Sequence, residues 1–374
     1  MATLRTLLSA PVLDLANEVL TTVPLRLRQR VQAFQSLPYI VGTNPFVGRT
    51  LEAFTRSADA LDALAANGPV KTPEQNAALA QTLQRLVHAH ANDVPTLAKG
   101  FHQCVKYMTP EEIKLFLDSA IRSRIAVRLF CEQHIAVSQA VQHPDEPHSV
   151  VDMTCSPADM VRSCTSFVSE MCDATVGASP ACILDGDVDA TFACVLLKNS
   201  YRASVEHHAR THAAGPIPPV TVTISRPSPM ADNSEPTHVG LRIRDEGGGV
   251  APADLDRIFS YAFTTAGRTS TTESDSDDEG GPYAAQHVGG MAAMGDQNET
   301  GGGAGSGNVF GEIAGKGMQV GVGTLAGLGY GLPLARLYAN FFGGSLELKS
   351  LHGHGVDVFL KLRNLHPEVG DIDI

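Results

Sequence analysis

Three short blocks in the second half of the chain contain residue types that bind nucleotides when a fold brings them together. The first block covers residues 196–206, and a helix there would place Asn199, Arg202 and Glu206 on one face. The amide oxygen of Asn199 is a hard donor of the kind that Mg²⁺ selects, and the guanidinium of Arg202 could meet a phosphate. By itself, however, a polar helix face is more typical of a surface in contact with solvent.

The second block follows a predicted strand and reads Asp245-Glu246-Gly247-Gly248-Gly249-Val250. A carboxylate fixed at a strand end can accept a hydrogen bond from the exocyclic amine of adenine. The glycines would let the backbone approach the base closely, because they carry no Cβ. A simple glycine-rich turn is the alternative interpretation.

The third block reads Gly327-Leu328-Gly329-Tyr330-Gly331-Leu332-Pro333 and precedes an amphipathic helix predicted from Leu334 to about Phe342. Glycine-rich backbone at a helix N-terminus can hold phosphate through its free N–H groups and the helix dipole. One GxGxG pattern is weak evidence. Three blocks in this order are much stronger evidence for a nucleotide site.

A second kind of site is indicated among the predicted N-terminal helices, where cations fall on apolar faces. A helix that begins at residues 109–112 carries Arg124 and Arg128 four residues apart on its apolar stripe. An earlier helix, with leucines and valines from Leu83 to Leu97 on one face, carries His90 among them. Buried cations are costly unless something pairs with them.

Two interpretations of these cations stay open. They could form structural ion pairs with a carboxylate such as Asp93 or Glu132. Alternatively, they could line a buried anion pocket, in which the planar forks of the arginines hold a carboxylate in two places.

The elements that must position these residues divide the chain of 374 residues into two parts. Residues 1–147 read as helices that end in a linker at 143–147. Residues 148–374 read as an α+β sandwich, in which residues 270–323 form a low-complexity, disordered insertion. The predicted elements of the second part are a helix from Ser156 to about Gly177, a hairpin of residues 182–184 and 188–192 around Asp185-Gly186, a helix over about 195–209, and strands at 220–225, 239–244, 346–349 and 356–362.

Composition excludes several classes of protein. The net charge of −12 disfavours a nucleic-acid partner, and no apolar run is long enough to predict a membrane span. Seven scattered cysteines without a CxxC pair predict reduced thiols rather than disulfides or a zinc site. The N-terminal 15 residues are compatible with a transit peptide or with a first amphipathic helix.

The order of an Asn-bearing helix, then DxGxG, then GxGxG before a helix is the signature of the GHKL ATPases, the histidine kinase/Hsp90 type. Within that group the chain resembles the mitochondrial 2-oxoacid dehydrogenase kinases along nearly its whole length. The stretches that carry the resemblance are residues 33–45, 116–124, 196–206, 244–250, 254–258, 263–266 and 327–338. The branched-chain branch looks closer than the pyruvate branch, because of residues 255–257, 263–266 and 356–363 and because the chain has no Trp.

The resemblance implies a fold, a reaction and partners. The fold would be an N-terminal four-helix bundle for lipoyl docking and allostery, followed by a GHKL α/β sandwich whose insertion at 270–323 is the ATP lid. The protein would be a dimeric, ATP- and Mg²⁺-dependent protein-serine kinase of the mitochondrial matrix, with K⁺ as a further candidate ion. It would phosphorylate the E1 subunit of the branched-chain 2-oxoacid dehydrogenase complex and dock on the lipoyl-bearing E2 subunit. A pyruvate dehydrogenase kinase is the alternative.

The resemblance also implies roles for individual residues. Asn199 would bind Mg²⁺, and Asp245 would bind adenine. His90, Arg124 and Arg128 would form an allosteric pocket for 2-oxoacids. The remaining nucleotide contacts would come from Lys198, Arg202, Gly247, Gly249, Thr264, Thr265, Gly327, Leu328, Gly329, Tyr330, Gly331 and Leu332.

The chain departs from the family pattern at the catalytic base. The family carries a glutamate four residues before the Asn and a histidine one turn earlier, whereas this chain has Val195 and Thr191. The chain is also about ten residues short before Leu196, roughly three helical turns. These changes predict nucleotide binding with severely impaired transfer, and they keep a second hypothesis open, a non-catalytic nucleotide-binding scaffold. A smaller departure is Val356, where relatives usually have Thr beside the adenine-binding Asp.

Overall fold

The structure is a computed structural model that describes residues 3–140, 156–187, 217–225, 238–263, 329–363 and 373–374. The predicted linker at 143–147, the predicted helix over about 195–209 and the insertion at 270–323 lie outside these ranges. No helix within the described ranges is long and apolar enough to cross a membrane.

The N-terminal part is helical, as predicted. Its elements are α1 (Leu4–Ser9), α2 (Val12–Gln35), α3 (Tyr39–Gly42), α4 (Pro45–Ala65), α5 (Pro73–Ala89), α6 (Asp93–Gln103), a 3₁₀ turn (Val105–Tyr107) and α7 (Pro110–Ala140). Helices α2, α4, α5 and α7 form a closed ring of contacts, in which α2 packs on α4 and α7, and α5 packs on α4 and α7. This ring confirms the four-helix bundle.

Helix α7 begins as the sequence predicted. The hydroxyl of Thr109 accepts from the backbone N–H of Glu112, and the Glu112 carboxylate accepts from the backbone N–H of Thr109, which is a capping box. Every residue of α7 from Arg124 to His134 is buried. Because neighbours cover it on every side, this stretch places charged side chains in the interior of the bundle.

The predicted helix through Leu83 and Leu97 is wrong as one continuous element. Helix α5 ends at Ala89, His90 is its C-cap residue, and α6 starts at Asp93. The apolar period continues across the break, which is why the pattern resembled one helix. His90 therefore lies at a corner between two helices, where a side chain can bond in two directions.

The second part contains helix α8 (Pro157–Val176), helix α9 (Gly331–Phe341) and a five-stranded sheet. The strands are β1 (Cys182–Gly186), β2 (Val220–Ser225), β3 (His238–Asp245), β4 (Ser345–Leu351) and β5 (Gly355–Arg363), in the spatial order β1-β2-β3-β5-β4. All neighbours are antiparallel except β1 and β2, which are parallel. A 3₁₀ turn (Pro252–Asp254) follows β3.

Alternation of apolar residues along the strands determines the sandwich. Val220, Val222 and Ile224 of β2 and the matching residues of β3 and β5 point to one face, which α8 and α9 cover. Helix α8 ends at Gly177, which adopts the left-handed conformation of a C-cap glycine. Helix α9 begins three residues earlier than predicted, because Pro333 is tolerated in the first turn of a helix.

The predicted hairpin turn at Asp185-Gly186 is wrong. Both residues belong to β1, which pairs in parallel with β2 rather than turning back on itself. Gly186 has a φ of 87°, and a Cβ there would collide with the carbonyl of Ile224. The glycine is needed for this close approach of two strands, and the same local signal resembled a turn. The second arm of that hairpin, at 188–192, lies outside the described residues.

The two parts share a core. Tyr261, Tyr330 and Leu337 belong to the same buried cluster as the bundle residues. The Tyr261 hydroxyl donates to the Asp118 carboxylate on α7 at 2.7 Å. The junction therefore places α7 against the segments that flank the predicted nucleotide site.

Candidate nucleotide site

Asp245 is the last residue of β3 and is 4% exposed. Its Oδ1 accepts from the backbone N–H of Gly247 at 3.0 Å, which fixes the carboxylate at the start of the glycine loop. A carboxylate only accepts hydrogen bonds, which suits it to the amine of a ligand. Asp245 thus lies at the strand end, as the sequence predicted, and its role as an adenine acceptor stays a prediction.

The glycine loop after Asp245 is held tightly against the turn between β4 and β5. Gly248 donates to the carbonyl of His354 at 3.0 Å, and Gly353 donates to the carbonyl of Gly248 at 2.8 Å. Gly249 has a φ of 70°, and a Cβ there would collide with the carbonyl of Leu351. The loop is therefore a fixed backbone wall rather than a loose glycine-rich turn.

Strand β5 forms the neighbouring wall of the same site. Val356 is the register partner of Asp245, which confirms the expectation that this position lies beside the predicted adenine acceptor. A Cβ on Gly355 would collide with the carbonyl of Asp245. Because Val356 brings a methyl group where a Thr would bring a hydroxyl, this chain loses one hydrogen-bonding group next to the carboxylate.

The third block meets the segment that leads into Thr264 and Thr265. Gly329 has a φ of 73°, and a Cβ there would collide with the backbone of Phe263. Residues 263 and 329 are far apart in sequence, yet their backbones are in contact. The structure thus brings the start of the Phe263–Ala266 stretch against the glycine loop.

Helix α9 begins directly after this contact. Its N-cap residue Tyr330 makes no side-chain cap hydrogen bond, and the first-turn N–H groups of Gly331 and Leu332 are of the kind that an α-helix leaves without intrahelical acceptors. The Tyr330 side chain points into the core, where it is 1% exposed and packs on Tyr261 at 5.4 Å between ring centroids. Only the backbone of Tyr330 can therefore face a phosphate.

We call residues 245–249, 329–332 and 355 the glycine cradle. Each part suits an adenine nucleotide: residues 245–249 and 355 provide a buried acceptor with close backbone walls, and residues 329–332 provide a helix N-terminus. The other predicted contacts lie outside the described residues, namely Lys198, Asn199, Arg202, Thr264, Thr265, Gly327 and Leu328. Val195 lies outside them as well.

A second charged site lies inside the helical bundle, where His90, Arg124 and Arg128 form what we call the cationic cluster. The His90 ring is buried and binds two side chains, with Nδ1 at 2.7 Å from Asp93 Oδ2 and Nε2 at 2.9 Å from Ser57 Oγ. Arg124 donates to the carbonyl of His90 at 3.3 Å. The structure therefore brings His90 and Arg124 together, as predicted.

Arg128 lies one turn further along α7 and is committed to the carboxylate of Glu132. Its Nε and a terminal nitrogen donate to Glu132 Oε1 at 2.9 and 2.5 Å. The structure thus shows the ion pairs of the structural interpretation, with Asp93 and with Glu132. In contrast, Nε of Arg124 is buried and has no hydrogen-bond partner among the described residues.

Sequence reasoning missed three residues at these sites. Ser57 holds His90 from α4, and no local pattern marks it. Tyr261 and Asp118 join the two parts, and the available signal was chemical, because a tyrosine on a buried face normally needs a hydrogen-bond partner. Burial raises the pKa of Tyr261 well above its usual range, as does its hydrogen bond to Asp118, so this hydroxyl stays a donor.

Two family models match the chain, one in each of its parts. Residues 2–155 match the family model described as mitochondrial branched-chain alpha-ketoacid dehydrogenase kinase. Residues 188–285 match the model described as histidine kinase-, DNA gyrase B-, and HSP90-like ATPase. The first model covers the helical bundle, and the second covers β2 and β3 of the sheet.

The chain is similar to mitochondrial 2-oxoacid dehydrogenase kinases along most of its length. The mitochondrial [pyruvate dehydrogenase (acetyl-transferring)] kinase of Arabidopsis thaliana is 28% identical over 359 residues, 92% of this chain and 82% of the relative. The human isozyme 4 is 27% identical over 323 residues, 80% of this chain and 65% of the relative. Kinase 1 of Saccharomyces cerevisiae is 23% identical over 351 residues, 90% and 75% of the two chains.

Kinases of this family with a histidine kinase/Hsp90-like domain use ATP and Mg²⁺. The glycine cradle agrees with that chemistry, because its acceptor and its backbone N–H groups suit an adenine base and a phosphate. The named relatives are all pyruvate dehydrogenase kinases, so the predicted branched-chain specificity is not confirmed.

Proposed function

We propose that this chain is an ATP-dependent protein-serine kinase that acts on the E1 subunit of a mitochondrial 2-oxoacid dehydrogenase complex. The observation that carries the proposal is the glycine cradle, in which the buried Asp245 carboxylate stands beside backbone walls formed by segments far apart in sequence. The division into a helical part, residues 1–147, and a nucleotide-binding part, residues 148–374, belongs to the proposal. The position of this family in mitochondria supports a matrix location.

The roles of individual residues follow from the proposal. Asp245 accepts the adenine amine, and Gly329 to Leu332 hold the phosphates through backbone N–H groups. Asn199 would bind Mg²⁺, with Lys198 and Arg202 beside the phosphates and Thr264 and Thr265 against the nucleotide. The chain would dock on the lipoyl-bearing E2 subunit as a homodimer, and K⁺ is a further candidate ion.

A separate question is which 2-oxoacid dehydrogenase complex the kinase acts on. The named relatives act on pyruvate dehydrogenase, which favours the pyruvate complex over the branched-chain complex. The name of the family model matched by residues 2–155 keeps the branched-chain complex as the alternative. Transfer of labelled phosphate to purified E1 of each complex distinguishes them, because the true substrate is labelled at least about tenfold faster, a difference of about 1.4 kcal/mol in barrier.

We propose further that the cationic cluster binds a 2-oxoacid. The buried Nε of Arg124 supports this role, since a ligand carboxylate would supply the acceptor that the described residues do not. Asp93 already contacts His90, and Glu132 already pairs with Arg128, so the ligand would have to displace or share these contacts. Comparing inhibition by pyruvate with inhibition by branched-chain oxoacids, in the parent and in an Arg124→Met variant, tests the role.

A non-catalytic nucleotide-binding regulator is the second candidate, and Val195 favours it. A valine cannot accept the seryl proton, and general-base catalysis contributes about 10²–10⁴-fold. If the missing base limits the chain, Val195→Glu raises phosphate transfer to E1 by a factor in that range, whereas the matched Val195→Gln does not. Equal, near-zero transfer in all three proteins, each with bound Mg-ADP, would support the non-catalytic role.

A further inference from the structure

A polar cavity of about 260 Å³ lies between α7 of the bundle and α9 of the nucleotide-binding part. Helix α7 contributes Lys114, Asp118 and Arg122, and α9 contributes Arg336 and Asn340. Three cationic side chains and one carboxylate thus share one small space. Because its walls come from both parts of the chain, whatever occupies it would join them.

The charges in this cavity are unequally satisfied. Asp118 accepts from Lys114 at 2.8 Å through Oδ2 and from Tyr261 at 2.7 Å through Oδ1, so its charge is balanced within the protein. Arg336 stacks over the ring of Phe259 at 4.0 Å, a contact that leaves its N–H groups available at the ring edge. Neither Arg122 nor Arg336 forms an ion pair with a carboxylate in the part of the chain that the structure describes.

Two guanidinium groups on opposite walls, neither ion-paired within the described ranges, and an amide beside them are a binding arrangement for an oxyanion. Arginine presents its donors in a planar fork that matches phosphate and carboxylate oxygens. Like charges that face one cavity repel each other, and an anion between them turns that repulsion into attraction. We propose that this cavity binds a small dianionic ligand, a phosphate or a dicarboxylate, which bridges α7 and α9.

The proposed site differs from the two sites described above. The glycine cradle uses the N-terminal backbone of α9, whereas the cavity uses side chains further along that helix. Arg122 is two residues before Arg124 on α7, and two residues on a helix point to nearly opposite sides. Arg124 is buried in the bundle, while Arg122 is exposed.

Calorimetric titration of the whole chain with inorganic phosphate tests the proposal. It is done at constant ionic strength and with excess Mg-ADP, so that the glycine cradle does not contribute. We expect saturable binding that weakens about tenfold or more in Arg122→Gln and in Arg336→Gln, since each variant removes charge-assisted hydrogen bonds to the anion. Arg85→Gln removes an exposed arginine from α5 and should bind as the parent does.

Two further experiments identify the preferred ligand and provide a second, independent measurement of binding. Titration with malonate in place of phosphate shows whether a dicarboxylate or a phosphate is held more tightly. Arg122→Glu places a carboxylate on the α7 wall, and this variant should lose the rise in melting temperature that phosphate gives the parent. Binding of neither anion, or equal binding by the parent and both glutamine variants, would overturn the proposal. Neither readout involves kinase activity, so the proposal can fail independently of the proposed function.

Discussion

The cationic cluster and the glycine cradle are the two proposed ligand sites, and they are built in different ways. The cluster is made of side chains, and Asp93 and Glu132 of the chain itself pair with its cations. The cradle is made largely of backbone, and its shape depends on glycines whose missing Cβ atoms let two segments touch. The cationic cluster therefore depends on balanced charges, and the glycine cradle depends on close contact between backbone segments.

This difference predicts which substitutions each region tolerates. A buried charge network is sensitive to loss of one partner but tolerates replacement of the whole pair, because desolvation cancels much of the attraction. A backbone wall is insensitive to charge but cannot accept one added carbon where two backbones touch. Of the four predictions below, the first and third test this contrast, and the other two test the bundle and its junction with the second part. They run from the largest expected effect to the smallest.

Removing one member of the pair between Arg128 and Glu132 should have the largest effect. Arg128→Met leaves the Glu132 carboxylate buried without its cation, and we expect the free energy of unfolding of the bundle to fall by about 3–5 kcal/mol. The double variant Arg128→Met with Glu132→Leu should recover most of that loss. Urea denaturation followed by circular dichroism measures both, and an equal loss in the two variants would contradict the charge-balance account.

Acid should act on the bundle through His134, whose buried Nε2 bonds to Oδ1 of Asn76 at 2.9 Å. Burial lowers the pKa of His134 from 6.5 to about 4, so the folded bundle holds the neutral ring. The unfolded chain binds the additional proton between those values, so stability is complete above pH 6.5 and is lost as the pH falls towards 4. The loss is about 3 kcal/mol at most.

The difference in slope between the parent and His134→Gln isolates this contribution, since the variant has no titrating group at that position. Free energies of unfolding at pH 7, 6, 5 and 4.5 suffice. If the two proteins lose stability in parallel over this range, His134 does not carry the effect.

Adding one methyl group at either of two glycines should distinguish the effect of close backbone contact from the effect of a positive φ. Gly249 and Gly353 both have positive φ, at 70° and 83°, but only Gly249 faces backbone within contact distance. Both alanine variants carry the conformational cost of about 1–2 kcal/mol. Gly249→Ala should also weaken Mg-ADP binding about tenfold or more, a loss of about 1.4 kcal/mol. Gly353→Ala should bind Mg-ADP as tightly as the parent does. A similar loss of affinity in the two alanine variants would show that the backbone contact at Gly249 does not shape the nucleotide site.

The hydrogen bond that joins the helical bundle to the second part of the chain should contribute least to the free energy of unfolding. Tyr261→Phe removes the hydrogen bond to Asp118 but keeps the ring in the core, and Lys114 continues to neutralise the carboxylate. We expect a loss of about 1 kcal/mol in the free energy of unfolding. Tyr39→Phe, at an exposed tyrosine, is the matched control and should change nothing measurable. A loss that is the same in both variants would show that the hydrogen bond does not join the regions.

Much of the fold could be predicted, because its signals are local. The capping box at Thr109, the end of α8 at Gly177 and the alternation along β2 and β3 each depend on residues close in sequence. The errors came where a local pattern has two structural solutions. An Asp-Gly pair is typical of a turn, yet Gly186 permits close packing of parallel strands. An apolar period continues across the corner at His90.

The candidate sites show the same limit. Asp245 and the glycines of the cradle were predicted because residue type and order mark them. The partners of His90 could be named only as alternatives, and Ser57 was missed, because the packing of α4 against the corner between α5 and α6 depends on the whole bundle. The contact between Gly329 and Phe263 was also invisible in the sequence, since it joins residues 66 positions apart.

The most direct test of the account is calorimetric titration of Mg-ADP into the parent chain and into Asp245→Asn. The asparagine keeps an oxygen for the N–H of Gly247 but presents an NH₂ donor in place of the second acceptor, so it opposes the adenine amine. We predict saturable binding to the parent and binding at least about tenfold weaker to the variant. Absence of saturable binding to the folded parent, or equal affinity in both proteins, would contradict the assignment of Asp245 and its glycine loops as the nucleotide site.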